Sequence, residues 1–438
     1  MASTYLSRTQ GTQTLNTKFT ISVWVKRAEL SSSGMNAICG SSSSGSHATQ
    51  FFFDGPSLRF YDNFSSTDLV TTRKFRDTNA WYHIVAAIDT SQSTAADRVK
   101  IYVNGTQETS FATSNYPNQG DAMILNISGY TFYVGTAENT GGTKFGYFDG
   151  CMSHFHFTDG YAYDASTFGS TDSTTGEWKI NVSPSITMGN NGFTILKDAN
   201  TITDQSSNSN NFTLGAGTLT NTKDCPDNVF CVYNKLNTDR TMANGNTTVT
   251  TTNANFYGAS GTIGVSSGKY YWEVKLVTGT VQFVGVDYNP AESFRQNKSS
   301  NTAHSYLIYA GSGSIYNNSA ITSYGSAYSE GDIVCIAMDL DNNKLYFRKN
   351  GDAWFNSGDP TSGSTGTGAF SLTAAKTYFP VVGDGASGVG GVTSTNFGNG
   401  YFGTTAISSA GTNASGIGNF EFDVPNGYTA LSTKGLNE

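Results

Sequence analysis

Residues Phe19–Lys26 read FTISVWVK, and Phe19, Ile21, Val23 and Val25 fall on one side of a strict alternation. Period two is the mark of a strand with one buried face. The pattern continues in AWYHIVAAI (80–88) and in VKIYV (99–103), where Val99, Ile101 and Val103 share a face opposite Lys100 and Tyr102. Asn104-Gly105 follows at once, a pair that tolerates positive φ and turns a hairpin. Residues 132–135, 145–148 and 152–157 read as further strands.

The second half repeats this style in KYYWEVKL (269–276), VQFVGV (281–286) and YFPVV (378–382). Ile333–Asp339 is apolar on both faces, as an inner strand should be. Leu345 and Phe347 then face inward before Asn350-Gly351 turns the chain. An apolar strand, an Asp-led loop and an Asn-Gly hairpin thus occur twice, at a domain-sized spacing. No segment holds a 3.6 period with caps, so helices should be few. The expected fold is all-β: two β-sandwich domains of jelly-roll type. Residues 1–222 form the first, with 165–222 folding back to complete it. Residues 223–243 link it to the second, 244–438, which ends in a C-terminal tail. The Ser/Thr/Asn-rich stretch between the halves is too long for a structureless loop, and GFTILK (192–197) reads as a strand inside it.

Composition narrows the function. The chain has 438 residues, enough for two full cores, and only 13% are charged, about half the usual fraction. Polarity comes from Ser, Thr and Asn, and aromatics reach 13%. The net charge is −8 and no basic cluster occurs, which argues against nucleic acid and anionic membranes as partners. The five cysteines form no CxxC pair, and Cys335 sits in an apolar strand as a small core residue, consistent with assembly in a reducing compartment. The opening MASTYLSRTQGTQTL lacks the apolar run of a signal peptide, and no run of 18 apolar residues suggests membrane insertion.

Several patterns invite catalysis and fail on chemistry. GDGASG (383–388) fits GxGxxG after a strand, but GVGGVTSTNFG follows, with no helix to hold a pyrophosphate. His154 and His156 share a face and lack a third ligand, so they read as surface histidines on an outer sheet. Glu421 and Asp423 alternate on an apparent strand without the acidic and aromatic partners of a glycosidase site. No Ser-His-Asp order, HExxH or P-loop is present, so the protein reads as non-enzymatic.

The first half resembles LamG or concanavalin A-like lectin jelly rolls in FTISVWVKR (19–27), AWYHIVAAID (80–89), RVKIYVNG (98–105), YVGTAENTGG (133–142) and FDGCMSHFHFTDG (148–160). TDQSSNSNNFT (203–213) is similar to the DSSGNGNN stretch that usually opens such domains, which implies a circularly permuted order. The second half resembles SPRY domains in SGKYYWEVKL (267–276), VQFVGVD (281–287), YSEGDIVCIAMDLDNNKLYFRKNG (328–351), YFPVVGDG (378–385) and FGNGYF (397–402). The opening YLSRTQGT and the ending GNFEFDVPNGYTALSTKGLN (418–437) resemble fibre and tail-associated virion proteins of marine bacteriophages. That resemblance implies a virion protein made in host cytoplasm and released by lysis, which would need no signal peptide. It implies recognition of a host-surface polysaccharide, or else a structural role in capsid decoration or fibre joining with other virion proteins. A homo-oligomer, such as a trimer, would multiply weak sites.

Glycan recognition would use aromatic faces with amide and hydroxyl groups beside them. The loop residues Tyr61, Asp62 and Asn63 fit, and the SPRY resemblance points to its loops and to Tyr288, Phe294 and Trp354. The lectin resemblance implies a Ca2+ site, for which Asp89, Asp97, Asp149 and Asp159 are the strand-end carboxylates on offer.

Overall fold

The computed structural model describes residues 3–30, 34–43, 47–139, 141–198, 201–237, 240–251, 258–279, 282–290, 303–318, 320–385 and 390–437. It is built of strands, with helical structure confined to three-residue 3-10 turns among the described elements. Its contacts divide it into two units, 1–221 and 222–438.

The first unit begins with β1 (Tyr5–Thr9), β2 (Lys18–Arg27), β3 (Met35–Ser43), β4 (His47–Asp54), β5 (Ser57–Asp62) and β6 (Thr67–Thr71). It continues with β7 (Trp81–Asp89), β8 (Val99–Val103), β9 (Thr106–Gln107), β10 (Phe111–Asn115), β11 (Thr131–Val134), β12 (Ala137–Glu138) and β13 (Lys144–Phe145). It ends with β14 (Gly150–Asp159), β15 (Gly169–Thr171), β16 (Trp178–Ile180), β17 (Phe193–Ile195) and β18 (Thr213–Ala216). An eight-stranded sheet, β10-β6-β5-β4-β3-β11-β1-β18, packs against a six-stranded one, β17-β14-β2-β7-β8-β9. The inward residues are those the alternation selects: Phe19, Ile21, Val23 and Val25 from β2 meet Ile38, Phe51, Phe60 and Phe132 from the other sheet in one buried cluster. Apolar contact across two sheet faces supplies most of the driving force for such a sandwich.

The segment that returns late does complete this unit. β17 pairs with β14 (Phe155↔Ile195), and β18 pairs with β1 (Ser7↔Thr213). Phe193, Ile195 and Phe212 enter the core, and Phe193 lies 4.7 Å from Phe212 and 5.3 Å from Phe132, ring centre to ring centre.

The second unit contains β19 (Thr241–Ala243), β20 (Thr248–Thr251), β21 (Gly258–Ser260), β22 (Lys269–Thr278), β23 (Gln282–Asp287), β24 (Ser305–Tyr309), β25 (Ile315–Asn317) and β26 (Ala320–Thr322). After these come β27 (Ile333–Asp339), β28 (Lys344–Lys349), β29 (Phe370–Ser371), β30 (Phe379–Asp384) and β31 (Gly391–Asn396). One sheet runs β19-β20-β31-β22-β27-β28-β29, with Thr429–Ala430 added in parallel beside β22, and the other runs β21-β30-β23-β24-β25-β26. Val274, Ile336 and Phe347 from the first face Val284, Val286 and Ile308 from the second.

Residues 223–243 are not a linker. Phe230, Cys231, Val232 and Tyr233 are buried, and Tyr233 hydroxyl meets Thr395 Oγ1 at 2.7 Å. Cys231 N–H donates to the Leu431 carbonyl at 2.9 Å, and Thr241–Ala243 is itself a strand paired with β20. The apolar run FCVY outweighs its Asp- and Asn-rich surroundings, because burying four such side chains gains several kcal/mol, at about 1.5–3 kcal/mol for a large one.

Candidate functional site

The residues of β1 alternate: Leu6 faces the core, while Tyr5, Ser7 and Thr9 face outward. On β11, Phe132 and Val134 face in, and Thr131 and Tyr133 face out. Ser7 sits opposite Tyr133 on one side and opposite Thr213 on the other. This outer face, together with β13 and the approach to β18, forms an open groove of about 430 Å3. Tyr133 is its floor and Tyr5 its wall, the two rings meeting edge-on at 6.1 Å. The Tyr5 ring fits because residue 215 is glycine: a Cβ there would lie 2.0 Å from it.

Polar groups converge on these rings. Ser7 Oγ and Thr213 Oγ1 are 3.3 Å apart. Lys144 Nζ stands 4.6 Å from the centre of the Tyr133 ring and is ion-paired with Glu138. Burial pushes the Tyr133 hydroxyl up from its ordinary value, so it stays a neutral donor. Arg8 donates through Nη2 to Asn210 Oδ1, while its Nη1 has no partner among the described residues. Desolvation lowers the Arg8 pKa, and Asp204 nearby opposes that shift. Rings, hydroxyls, the Asn211 amide and the Lys144 cation in one shallow groove are the inventory that hydroxyl-rich ligands require.

Of the loop residues expected to bind, Tyr61 reaches this face. It lies in one cross-strand row with Tyr133, through Gly40 and Gln50, at a separation of three strand spacings, roughly 14 Å. The Arg59 guanidinium stands 5.3 Å from its ring, held by Asp68 at 2.8 and 2.9 Å. Asp62 does not reach it. Asp62 is fully buried, accepts from Thr49 Oγ1 and from Ser65 N–H at 2.7 Å, and serves the turn. Asn63 likewise closes the turn, accepting the Ala48 N–H at 2.7 Å.

In the second unit Tyr288 and Trp354 are half-buried and attached to different sheets. Tyr288 follows β23, packs edge-on against His304 and Tyr378, and has Lys376 Nζ 5.3 Å from its ring. Trp354 follows β28 and stacks under Arg348 at 4.7 Å. Phe294 lies outside the described residues.

Three of the carboxylates proposed for calcium, those of Asp89, Asp97 and Asp159, are occupied otherwise. Asp159 is fully buried and accepts from Thr14 N–H (2.6 Å), Leu15 N–H (3.2 Å), Asn126 Nδ2 (2.8 Å) and Asn191 N–H (3.1 Å). Asp89 pairs with Lys18 at 3.0 Å and accepts from Ser91 and Gln92, and Asp97 pairs with Lys100 at 3.0 Å. Asp149 is half-buried and accepts the Ala28 N–H through its backbone carbonyl at 2.9 Å. The described residues bring no three His, Cys, Asp or Glu side chains together as metal ligands. Ca2+ needs six to eight oxygens, so this donor set does not fit it.

Glu421 and Asp423 also prove to be loop clamps and lie outside any strand: Glu421 accepts the Ser408 N–H at 2.7 Å and Asp423 the Thr412 N–H at 2.7 Å. The first strand described after the GDGASG stretch is β31, which begins at Gly391, and part of that stretch lies outside the described residues. His156 is buried, not a surface residue, with Phe168 stacked on it at 5.6 Å, and His154 is half-buried. The groove residues Tyr5 and Tyr133 were not singled out by sequence. Their signal was the alternation of YLSRT, which sets Tyr5 and Ser7 opposite Leu6.

Comparison with known proteins accords with this division. Residues 2–165 match the family described as Concanavalin A-like lectin/glucanases superfamily, and residues 269–399 match the SPRY domain. The chain thus carries a concanavalin A-like domain followed by a SPRY domain. Similar solved structures include the SPRY domain of human HERC1, at 23% identity over 34% of this chain and 87% of that one, with a TM-score of 0.28. Stonustoxin is similar at 18% identity over 38% of this chain and 27% of that one, with a TM-score of 0.29. No curated protein matches the sequence.

Proposed function

We propose that this protein is a non-catalytic recognition subunit that binds a polysaccharide on a host cell surface through the groove of its first unit. The observation that supports this reading is the groove itself: a tyrosine floor and wall, hydroxyls from Ser7, Thr9, Thr131 and Thr213, and Asn211 at the rim. Sugars present apolar C–H faces ringed by hydroxyls, and this lining offers a partner to each.

The resemblance of the opening and closing segments to phage fibre proteins supports placing the chain in a virion, on a tail or head fibre. Repeated copies there would convert a shallow, weak site into firm attachment, because linked sites raise effective concentration.

The test is binding of the purified full-length chain to candidate host cells, followed by competition with polysaccharide released from those cells. Saturable binding that the free polysaccharide abolishes is expected. Binding to isolated virion proteins with none to cells would instead mark a structural subunit. Release of reducing ends would mark an enzyme.

A further inference from the structure

β15 and β16 pair with each other, from Gly169↔Ile180 to Thr171↔Trp178, and stand apart from both large sheets. Their hairpin covers the outer face of β7, where Phe168 and Trp178 pack with Val85, Ala165, Tyr102 and Tyr163. It is fastened through one imidazole. Trp178 Nε1–H donates to His83 Nδ1 at 3.0 Å, and the two rings stack at 6.0 Å. The far side of His83 stacks on Trp24 at 5.0 Å. The Trp178 ring settles on Gly105, where a Cβ would lie 2.3 Å away.

These bonds define the protonation state of His83. An indole N–H only donates, so Nδ1 must be the bare acceptor. The proton therefore sits on Nε2 and points at Ser22 Oγ, 2.9 Å away. A second proton would set a donor against the indole donor and charge a ring that is 1% exposed.

Two more histidines crowd the same face. His156 stacks on Phe168, at the root of the hairpin, at 5.6 Å and bonds Thr194 Oγ1 at 2.9 Å. His154 lies 6.3 Å from His156, ring centre to ring centre, with Ser153 Oγ at 2.7 Å from its Nδ1. The charged groups around them offer little relief. Lys197 opposes charge on His154 and His156, while Asp198 favours it on His154 only. On the hairpin, Asp172 is committed to Lys179 at 2.7 Å, and on β2 the next outward side chain after Trp24 is Lys26. Burial lowers His83 and His156 to about 3 and His154 to about 4.

We propose that residues 169–180 form an acid-released flap, which lifts from the first unit when His83 is protonated. The sandwich beneath it stays folded. Once uncovered, the His83 imidazole regains an ordinary pKa near 6.5 and takes up a proton. Its release then multiplies the open-to-closed ratio by up to ~10 per pH unit below 6.5.

The experiment is hydrogen exchange of the full-length chain from pH 7.5 to 4.5, corrected for intrinsic rates. Peptides spanning 168–181 are compared with β2 and β7. The flap's open fraction should rise by up to about tenfold per pH unit below 6.5 while both strands stay protected. In His83→Gln, whose amide can still accept from Trp178 and donate to Ser22, a factor of about ten per unit should disappear. Independently, the wild-type Trp178 indole proton should be protected at pH 7.5 and lost near pH 5. Flap exchange that ignores pH, loss of flap and strand protection together, or an unaltered slope in His83→Gln would each overturn the proposal.

Discussion

Asn104 Oδ1 accepts the backbone N–H of His83 at 2.8 Å, and the Asn104 N–H returns a bond to the His83 carbonyl at 2.9 Å. The second unit repeats the arrangement: Asn350 Oδ1 takes the Ile333 N–H at 2.7 Å, and Asn350 N–H gives to the Ile333 carbonyl at 2.8 Å. Both asparagines are left-handed, with φ of 47° and 51°. The two Asn-Gly turns therefore do more than reverse the chain, since each closes the open end of its neighbouring strand.

Replacing either asparagine by alanine removes a bond worth about 1 kcal/mol and leaves a Cβ in a left-handed conformation costing about 1 kcal/mol more. Asn104→Ala and Asn350→Ala should each lower the stability of their own unit by about 2 kcal/mol in urea unfolding. The corresponding glycine variants should lose only about half of that. Equal losses for alanine and glycine would show that backbone conformation plays no part.

Glu273 lies within the second unit, fully buried, with Tyr271 hydroxyl, Asn396 Nδ2 and the amides of Glu421 and Phe422 directed at its oxygens from 2.9 to 3.1 Å. Burial outweighs these donors and pushes its carboxyl up to about 7 from 4.5. A carboxyl whose folded pKa is raised is held protonated by the fold. The resulting stability is full below 4.5 and is lost as pH rises through about 7. The second unit should lose on the order of 3 kcal/mol between pH 5 and 8, and Glu273→Gln should flatten that slope. A wild-type second unit that gains stability over this range would refute the assignment.

Phe193 joins the returning segment to the early strands, with Phe157 at 5.5 Å and Phe155 at 5.8 Å in addition to Phe132 and Phe212. Phe193→Ala should destabilise the first unit by about 3–5 kcal/mol. Combined with Phe132→Ala, the loss should fall short of the sum, because the two share one cavity. Strict additivity would mean that the late strand packs independently.

Strand positions and their inward faces were readable from alternation, as β2, β7, β8 and β27 demonstrate. What covers an outward face was not. His156 reads as a surface residue until Phe168 is in place over it, and His83, on the same outward face, is covered by Trp178. The hairpin 169–180 carries few apolar residues, so its cover is written in Trp178 together with Tyr163, Ala165 and Phe168 just before it. Asp62, Asp159, Glu421 and Asp423 show the same limit from the other side. A loop carboxylate looks free in sequence, yet backbone amides claim it once the loops close, from three residues away for Asp62 and from more distant segments for the other three. Tyr61, expected in a loop, lies in β5, and its strand register decides where it points.

The groove between Tyr5 and Tyr133 is tested most directly by titrating the full-length chain with the surface polysaccharide of a host that it binds. Tyr5→Ala and Lys144→Ala should each weaken binding about tenfold, about 1.4 kcal/mol, while Trp354→Ala changes it less than twofold. Binding that survives both groove variants, or that falls with Trp354→Ala alone, would contradict the assignment of recognition to the first unit.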